Sequence, residues 1–519
     1  IVIMAFSRAR SLTYRHLRHD LFPWAIALSV GLDYFDNTAF SFFSSYVAGG
    51  INVPPDELVW SSSAYAVASV LGILQQQWLI ERIGFRRYLS GCLLMFAIGS
   101  LAASLSVTSF QLATARGFQA YFIGPMLGTC RILLQTGFSP KNRPPATRLF
   151  LTIILLASAL APLVGGVLIA NFGWHALFLC TTVAGLALAV FAFLVVPHIG
   201  KRQPALRSDT HLWPYLIFAL ALGALQIVAQ QVRFELFSTS PILLLLTAAG
   251  LLALGWVAWQ QWNHPKPLIR LSALREGPFR VAIVLYAFYY YITNAIGYLI
   301  SRLLEGGLGY PVENAGRIVG FTSLSSIVVA FLYFRYAKFV TRKKLLIVPG
   351  FLMATFIAVW FIHLPPDVSV SWLLAPLIVR GFLLMFIALP NGNVAFQIFP
   401  DHEFTHGYRL KNIVKQLAYS LSTASIIILD QHRLALHQTR LAEFATPYNP
   451  VFENALQSMA HAFAERGMNT AQAEGAALGE FARMAAHQAS FMSVLDCFYV
   501  IAIISLAGAV IALVQRQIK

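Results

Sequence analysis

Apolar runs of about twenty residues recur from one end of the sequence to the other, and each is long enough to cross the ~30 Å hydrocarbon core of a bilayer as a helix. The fourteen predicted spans are residues 22–44, 58–79, 88–107, 110–134, 147–170, 174–197, 212–230, 241–259, 278–302, 312–334, 345–363, 371–398, 408–430 and 491–515. Of the 519 residues, 58% are hydrophobic and 11% are charged, against about 45–50% and about 25% in soluble proteins. The sequence therefore predicts an all-α polytopic membrane protein.

The basic residues lie in short clusters between these runs. Although the formal net charge is +16, such scatter is typical of topology control by the positive-inside rule and does not indicate nucleic-acid binding. The rule places both termini in the cytoplasm. The first apolar run has no cleavage site of small residues, so we expect it to be retained as a span. The four cysteines lie in or beside apolar runs and lack the spacing of a disulfide framework or zinc site.

Residues 431–490 form a long polar insertion between the last two spans, on the predicted outer side. Two of its segments, PVFENALQSMAHAFAERG and AQAEGAALGEFARMAAHQASFM, carry apolar residues at helical spacing, which predicts two or three amphipathic helices. The insertion is either a solvated cap or a docking surface for a periplasmic partner, and the pattern alone does not decide between them.

The stretch HEFTH matches the HExxH pattern of zinc proteases, in which two histidines one helical turn apart bind the metal and the glutamate activates its water. Here the residues would be His402, Glu403 and His406. They fall in a short predicted cytoplasmic loop bounded by Pro400 and Gly407, which interrupt helices. An intramembrane protease is thus a remote alternative, and we expect no metal site.

Charged residues inside the predicted spans indicate function, because each costs at least about 2.5–3.5 kcal/mol in the membrane. Asp33 and Asp36 lie in the first span, and Arg116 lies in the fourth at a depth similar to that of Asp36. Asp36 and Arg116 form either a static ion pair that fixes packing or a pair that opens on protonation. Asp33 is close enough to share a proton with Asp36. Arg380 touches a span end, where snorkelling explains most such residues, and Lys415 is a candidate of lower weight.

Several motifs together resemble one family. FDNTAF, with Asp36, is similar to a first-span LDxT motif, and RGFQAYFIGP, with Arg116 and Gln119, to a fourth-span RxxQG motif. APLVGGVL resembles the fifth-span GPxxGG motif through Pro162, Gly165 and Gly166. QWLIERIGFRRYLSG resembles a conserved loop motif through Glu81, Arg82, Gly84, Arg86 and Arg87. These motifs are those of the fourteen-span drug:proton antiporters of the major facilitator superfamily, the EmrB/QacA type, and the long outer loop resembles the EmrB branch.

The resemblance implies a major facilitator fold. Residues 1–200 and 275–519 would form two six-helix bundles, the second including the 431–490 loop, and residues 201–274 would hold a two-span insertion and linkers. A cavity between the bundles would open to each side in turn. We expect it to be lined by Gln119, Gln226, Tyr290, Asn294 and Asn412.

The resemblance also implies a function, which is efflux of small amphipathic compounds driven by the proton gradient, with no cofactor and no enzymatic activity. Asp36 would be the principal proton carrier, held by Arg116, with Asp33 in a lesser role. A HlyD-type periplasmic adaptor and an outer-membrane channel would be partners, which implies a bacterial inner membrane. A dedicated exporter of one metabolite, such as a siderophore, is the main alternative.

Overall fold

The fold was analysed in a computed structural model that describes residues 2–203, 207, 211–231, 241–336, 339–366, 368–397, 399 and 404–518, without the side chains of 2–19, 55, 56, 229 and 230. Its α-helices are α1 Val2–Ile51, α2 Val59–Ile83, α3 Phe85–Ser104, α4 Ser109–Ile123, α5 Met126–Gly137, α6 Arg143–Phe172, α7 His175–Val195, α8 Leu212–Gln231, α9 Pro241–Asn263, α10 Gly277–Arg302, α11 Val312–Ser323, α12 Ser325–Tyr336, α13 Lys344–Ile362, α14 Val370–Arg380, α15 Leu389–Phe396, α16 Phe404–Phe444, α17 Pro450–Glu465 and α18 Thr470–Val514. Wider π-helical turns follow at Leu303–Gly307 and Leu384–Ala388.

Each predicted span coincides with a helix or a chain of two or three helical segments. The fourth, tenth and twelfth spans are the segmented ones: α4 with α5, α11 with α12, and α14 with α15. Among the described residues, ten helices or helical runs are long and apolar enough to cross a membrane. The all-helical polytopic prediction is therefore confirmed.

The helix ends follow local chemistry. The side chain of Thr108 accepts a hydrogen bond from the backbone N–H of Gln111 at the start of α4. Pro125 separates α4 from α5, because it has no N–H to continue the helical ladder. Gly84 ends α2 with φ at +82°, a conformation that strains other residues, and the chain turns there directly into α3.

The helices form two bundles, α1–α7 and α10–α18, that contact each other through a few pairs of helices. The pair α6 with α11, the pair α2 with α16 and the pair α1 with α10 join the bundles. The helices α8 and α9 pack against each other, and α8 also packs on α2. Their outward side chains include the exposed Leu220 and Leu252, as expected of residues that face lipid. The exact domain boundaries near residues 200 and 275 stay predictions.

The insertion 431–490, called the cap below, is helical as predicted, but its helices are not all separate. Residues 431–444 continue α16 and residues 470–490 begin α18, so two of the three helical pieces extend spans. Only α17 is independent, and it packs on α18 through an edge-to-face contact of Phe452 with Phe481, whose ring centroids lie 5.3 Å apart. The side of the bundles that carries the cap is called the cap end. The opposite side, where residues 81–87 connect α2 to α3, is called the loop end.

Candidate functional site

A cavity of about 190 Å³ lies between the two bundles. Its wall is built by α1, α6, α10, α11, α12, α14, the start of the π-helical turn at Leu384, and α16, with both bundles contributing. Hydroxyl and amide groups such as those of Asn37, Ser158 and Asn294 alternate with apolar side chains, and the charged side chains in the wall are Arg380 and Lys415. Such a mixed wall suits an amphipathic ligand.

Asp36 is held inside the first bundle by a closed hydrogen-bond network. Its Oδ2 accepts from Arg116 Nη1 at 2.6 Å, and its Oδ1 accepts from Gln119 Nε2 at 3.2 Å. Gln119 in turn accepts from Arg116 at 2.7 Å and donates to Ser100 at 2.6 Å. Asp36 and Arg116 are 3% and 1% exposed, so this charge pair is shielded from water.

The Arg116 guanidinium is also enclosed by aromatic rings. It lies 4.3 Å from the ring centroid of Phe40 and 4.5 Å from that of Tyr65. Cation–π contacts of this kind attract the guanidinium to the faces of the rings. The positive charge of Arg116 is thus compensated on several sides.

Asp33 has looser partners, and one of them belongs to the second bundle. Its Oδ1 accepts from Asn37 at 2.7 Å and lies 3.5 Å from the Tyr65 hydroxyl. Its Oδ2 lies 3.8 Å from Lys415 Nζ on α16 and has no hydrogen-bond donor within the described part of the chain. Tyr65 therefore touches both sites, since its ring packs on Arg116 and its hydroxyl approaches Asp33.

Lys415 and Arg380 are the residues that sequence reasoning weighted too lightly. Lys415 is 2% exposed and lies 4.4 Å from the ring centroid of Tyr34. Arg380 is not at a span end: it closes α14 and stands midway along the twelfth span, in the cavity wall. The sequence did offer a sign of this position, because Arg380 is a charged residue within a long apolar run and is followed by Gly381.

Of the five residues predicted to line the cavity, Asn294 lies in its wall, where it donates to Thr423 at 2.9 Å. Gln119 belongs to the Asp36 network, and Gln226 donates to Ser420 at 2.8 Å, which links α8 to α16. Tyr290 is buried against Tyr286 and Tyr419, outside the wall of this cavity. Asn412 is buried near Gly128 of α5, where neither of its amide atoms has a hydrogen-bond partner within the described residues.

The loop motif joins elements at the loop end. Glu81 Oε1 lies 3.2 Å from Arg202 Nη1 and accepts from Gln77 at 2.8 Å. Arg86 donates to the carbonyl of Phe193 and lies 3.0 Å from a ring nitrogen of His198.

The two other arginines of this motif differ in their surroundings. Arg82 packs over the ring of Trp78, and Arg87 is exposed. A further contact crosses the bundles, because Arg409 of α16 donates to Gln77 and, at 2.6 Å, to the carbonyl of Leu268.

The Pro162, Gly165 and Gly166 motif lies where α6 meets two neighbours. A Cβ on Gly165 would collide with the ring of Phe43 on α1, and a Cβ on Gly166 would lie 3.1 Å from the carbonyl of Val312. Gly316 of α11 meets the Pro162 carbonyl in the same way. Small residues therefore allow the close approach of α6 and α11, which belong to different bundles.

Two residues of the HEFTH stretch, His402 and Glu403, lie outside the described residues. His406 is in the first turn of α16, beside a cavity at the loop end that Arg409 also lines. Among the described residues, no group of three or more His, Cys, Asp or Glu side chains is placed to hold a metal ion.

Comparison with known proteins defines the class. Residues 26–423 match the model of the Major Facilitator Superfamily. The chain is 24% identical over 437 residues to the probable multidrug resistance protein EmrY of Escherichia coli, covering 84% of this chain and 85% of that protein. It is 22% identical over 468 residues to the fatty acid resistance protein FarB of Neisseria gonorrhoeae, covering 89% and 90%.

The fold is similar to that of solved transporters. An inward-facing bacterial homologue of the lysosomal transporter Spinster superposes with a TM-score of 0.60 at 14% identity, covering 96% of this chain and 98% of that one. A D-xylose–proton symporter gives 0.56 at 14% identity, covering 79% and 90%. The chain belongs to the Major Facilitator Superfamily and has its two-bundle fold. It is similar to the EmrB-type multidrug export proteins, and it is an integral membrane transporter.

Proposed function

We propose that this transporter exports small amphipathic compounds from the cytoplasm in exchange for protons. The observation that carries the proposal is the buried Asp36–Arg116 pair: α1 lines the cavity between the bundles, and Arg116 on α4 lines a smaller cavity that shares Asn37 and Asn294 with it. Charges at such depth are expensive and are usually retained for function. Relatives named as multidrug export proteins, among them EmrB of Escherichia coli at 22% identity over 452 residues, support export as the direction.

Proton coupling would act through α1. A proton on Asp36 removes the negative charge that both Arg116 and Gln119 contact, so α1 and α4 are held together less strongly. Asp33 lies one turn away on α1 and contacts Lys415 of the other bundle, so a shift of α1 reaches α16 directly. Protonation from outside would favour the bundle rearrangement, and proton release to the cytoplasm would restore the pair.

Transport in everted membrane vesicles tests this function. With an acid interior imposed, vesicles that contain the protein should accumulate an amphipathic dye, and a protonophore should abolish the accumulation. Vesicles without the protein are the control. Equal accumulation with and without the pH gradient would contradict proton coupling.

A dedicated exporter of one metabolite would share this mechanism. Profiling uptake across chemically unrelated compounds separates the two functions, since a multidrug pump accepts several classes and a dedicated exporter accepts one. The remote protease alternative is tested by Glu403→Ala, which should leave transport unchanged and remove no proteolytic activity.

We further propose that the pump lies in a bacterial inner membrane with both termini in the cytoplasm, and that the cap contacts a periplasmic adaptor of the HlyD type that leads to an outer-membrane channel. Support comes from exposed apolar side chains at the start of α17: Tyr448, which precedes the helix, is 95% exposed, and Val451 in its first turn is 75% exposed. Aromatic and aliphatic side chains this exposed are typical of interfaces.

A double substitution, Tyr448→Ser with Val451→Ser, should reduce co-purification with the adaptor and leave the spans folded, because both residues lie outside the spans. Phe452→Ser is the matched comparison, since Phe452 packs inside the cap. Undiminished adaptor binding in the double variant would contradict a contact at the start of α17.

A further inference from the structure

Arg380 is a charge that the proton-coupling network does not use. It ends α14, and its Nη1 is buried with no hydrogen-bond partner within the described residues. Its Nη2 points at α10, 3.6 Å from the position that a Cβ on Gly297 would occupy. The absence of a side chain at Gly297 leaves room for the guanidinium between the bundles.

The cavity wall has a surplus of positive charge. Arg380 and Lys415 line it, and no carboxylate is among the described residues of its wall. Lys415 is already opposite Asp33, whose Oδ2 lies 3.8 Å away. Among the described residues no ion pair involves Arg380, so its charge has no carboxylate partner in the described cavity wall.

An uncompensated guanidinium in a membrane-embedded cavity favours an anion. Arginine binds carboxylates strongly because two parallel N–H groups match the two oxygens. A single buried charge without a partner is costly, and a bound anion would offset that cost. A cationic ligand would meet repulsion from both Arg380 and Lys415.

We propose that Arg380 is the anchor of an anion subsite, so that the preferred substrates are amphipathic carboxylates or similar organic monoanions. The anionic group contacts the guanidinium, and Tyr289 and Ser326 in the same wall supply hydroxyls nearby. The apolar body lies against Ile154, Leu155 and Leu383. The inference rests on the proposed export function and specifies its substrate class.

The volume of about 190 Å³ limits what the cavity holds in this conformation. An engineered cavity of about 150 Å³ accommodates benzene. A carboxylate on one aromatic ring, or on two fused rings, is therefore close to the largest ligand that this cavity holds. Larger substrates would require the bundles to separate.

Equilibrium binding to the full-length protein in nanodiscs of zwitterionic lipid tests the subsite without any proton gradient. The probes are three fluorescent compounds of one shape: naphthoate, the neutral naphthamide and the cationic naphthylmethylammonium. The wild type should bind naphthoate at least tenfold more tightly than the amide and the cation least tightly. Equal affinities, or preference for the cation, would overturn the proposal.

Two variants locate the contact. Arg380→Met should weaken naphthoate about tenfold and leave the amide unchanged, and Arg380→Lys should restore part of the naphthoate affinity. Equal weakening of naphthoate and amide would mean that Arg380 only shapes the cavity, which contradicts the proposal. Should Arg380→Met fail to fold, the ranking of the three probes on the wild type decides.

Inorganic anions give one more outcome. If chloride or phosphate displaces naphthoate at equal millimolar concentrations, the subsite recognises small ions and not organic acids, and the substrate class is wrong. Naphthoate binding with no gradient-driven transport would leave the subsite standing and overturn proton-coupled export instead. The two proposals can therefore fail separately.

Discussion

Two carboxylates three residues apart on α1 have opposite surroundings. Asp36 is bound within its own bundle, with a donor on each oxygen, Arg116 and Gln119. Asp33 faces the other bundle, and its Oδ2 has Lys415 at 3.8 Å but no hydrogen bond within the described chain. A carboxylate held by two donors within one bundle stays in place until it is protonated, whereas a loose pair between two bundles changes when the bundles move.

Asp36 and Asp33 therefore have different proposed roles. The first-span motif indicates Asp36 as the proton carrier, and its network controls how α1 sits on α4. Asp33 contacts the helix of the second bundle that also borders the cavity, so it is placed to transmit the change. Tyr65 touches both sites and couples them.

The largest effect should come from Asp36→Asn. This variant leaves Arg116 buried without a carboxylate and removes the proposed carrier, so gradient-driven uptake in everted vesicles should fall at least about tenfold, or about 1.4 kcal/mol. Substrate binding without a gradient should persist. Asp33→Asn should lose less uptake. A wild-type rate in Asp36→Asn would show that the carrier is elsewhere, and Asp33 would be the next candidate.

Asp430→Asn tests whether breaking any buried ion pair stops transport, or whether proton coupling depends on the Asp36 pair in particular. Asp430 is also fully buried, accepts from Arg302 at 3.1 Å and from Tyr298 at 3.1 Å, and lies at the cap end away from the α1 carboxylates. Breaking such a pair costs up to about 3–5 kcal/mol of stability. Thermal unfolding should therefore occur at lower temperature in Asp430→Asn, while proton-driven uptake per folded molecule stays unchanged. Loss of proton-driven uptake in Asp430→Asn would contradict a special role of the α1 carboxylates.

Double-mutant cycles on unfolding measure the two pairs directly. Coupling energies between contacting residues range over about 0.5–3 kcal/mol. The cycle of Asp36→Asn with Arg116→Met should give a value near the upper limit, because the contact is a short hydrogen bond of 2.6 Å. The cycle of Asp33→Asn with Lys415→Met should give a value near the lower limit. Equal coupling energies would contradict the conclusion that Asp36 is bound tightly and Asp33 loosely.

A smaller effect on uptake than that of Asp36→Asn should come from a packing contact between the bundles that carries no charge. A Cβ on Gly316 would collide with the Pro162 carbonyl, so Gly316→Ala should separate α11 from α6 at a cost of about 1–3 kcal/mol. Uptake should slow, with an unaltered response to the pH gradient. Gly475→Ala in the cap is the control, since nothing lies within 4 Å of its Cβ position. A changed pH response in Gly316→Ala would mean that packing also sets coupling.

Much of the fold was readable from the sequence, and the departures have local causes. The all-helical, polytopic character was predicted correctly because a bilayer imposes the same length and polarity on each helix regardless of its neighbours. The segmentation of the fourth span at Pro125 was missed, because helical periodicity continues across the break. The cap helices were predicted, but their continuity with α16 and α18 was not, because the change to polar residues marks the end of a membrane span and gives no sign of where the helix itself ends.

The sequence by itself determined that the chain is a polytopic helical protein, where its spans lie, and that charges at Asp33, Asp36 and Arg116 are buried. Only the tertiary structure decided which groups those charges meet. Lys415 faces Asp33, Arg380 faces the cavity, and Tyr290 and Asn412 do not line it. The reason is that hydrophobicity sets how deep a residue lies, whereas the rotation of each helix against its neighbours sets where its side chain points, and that rotation depends on packing between distant parts of the chain.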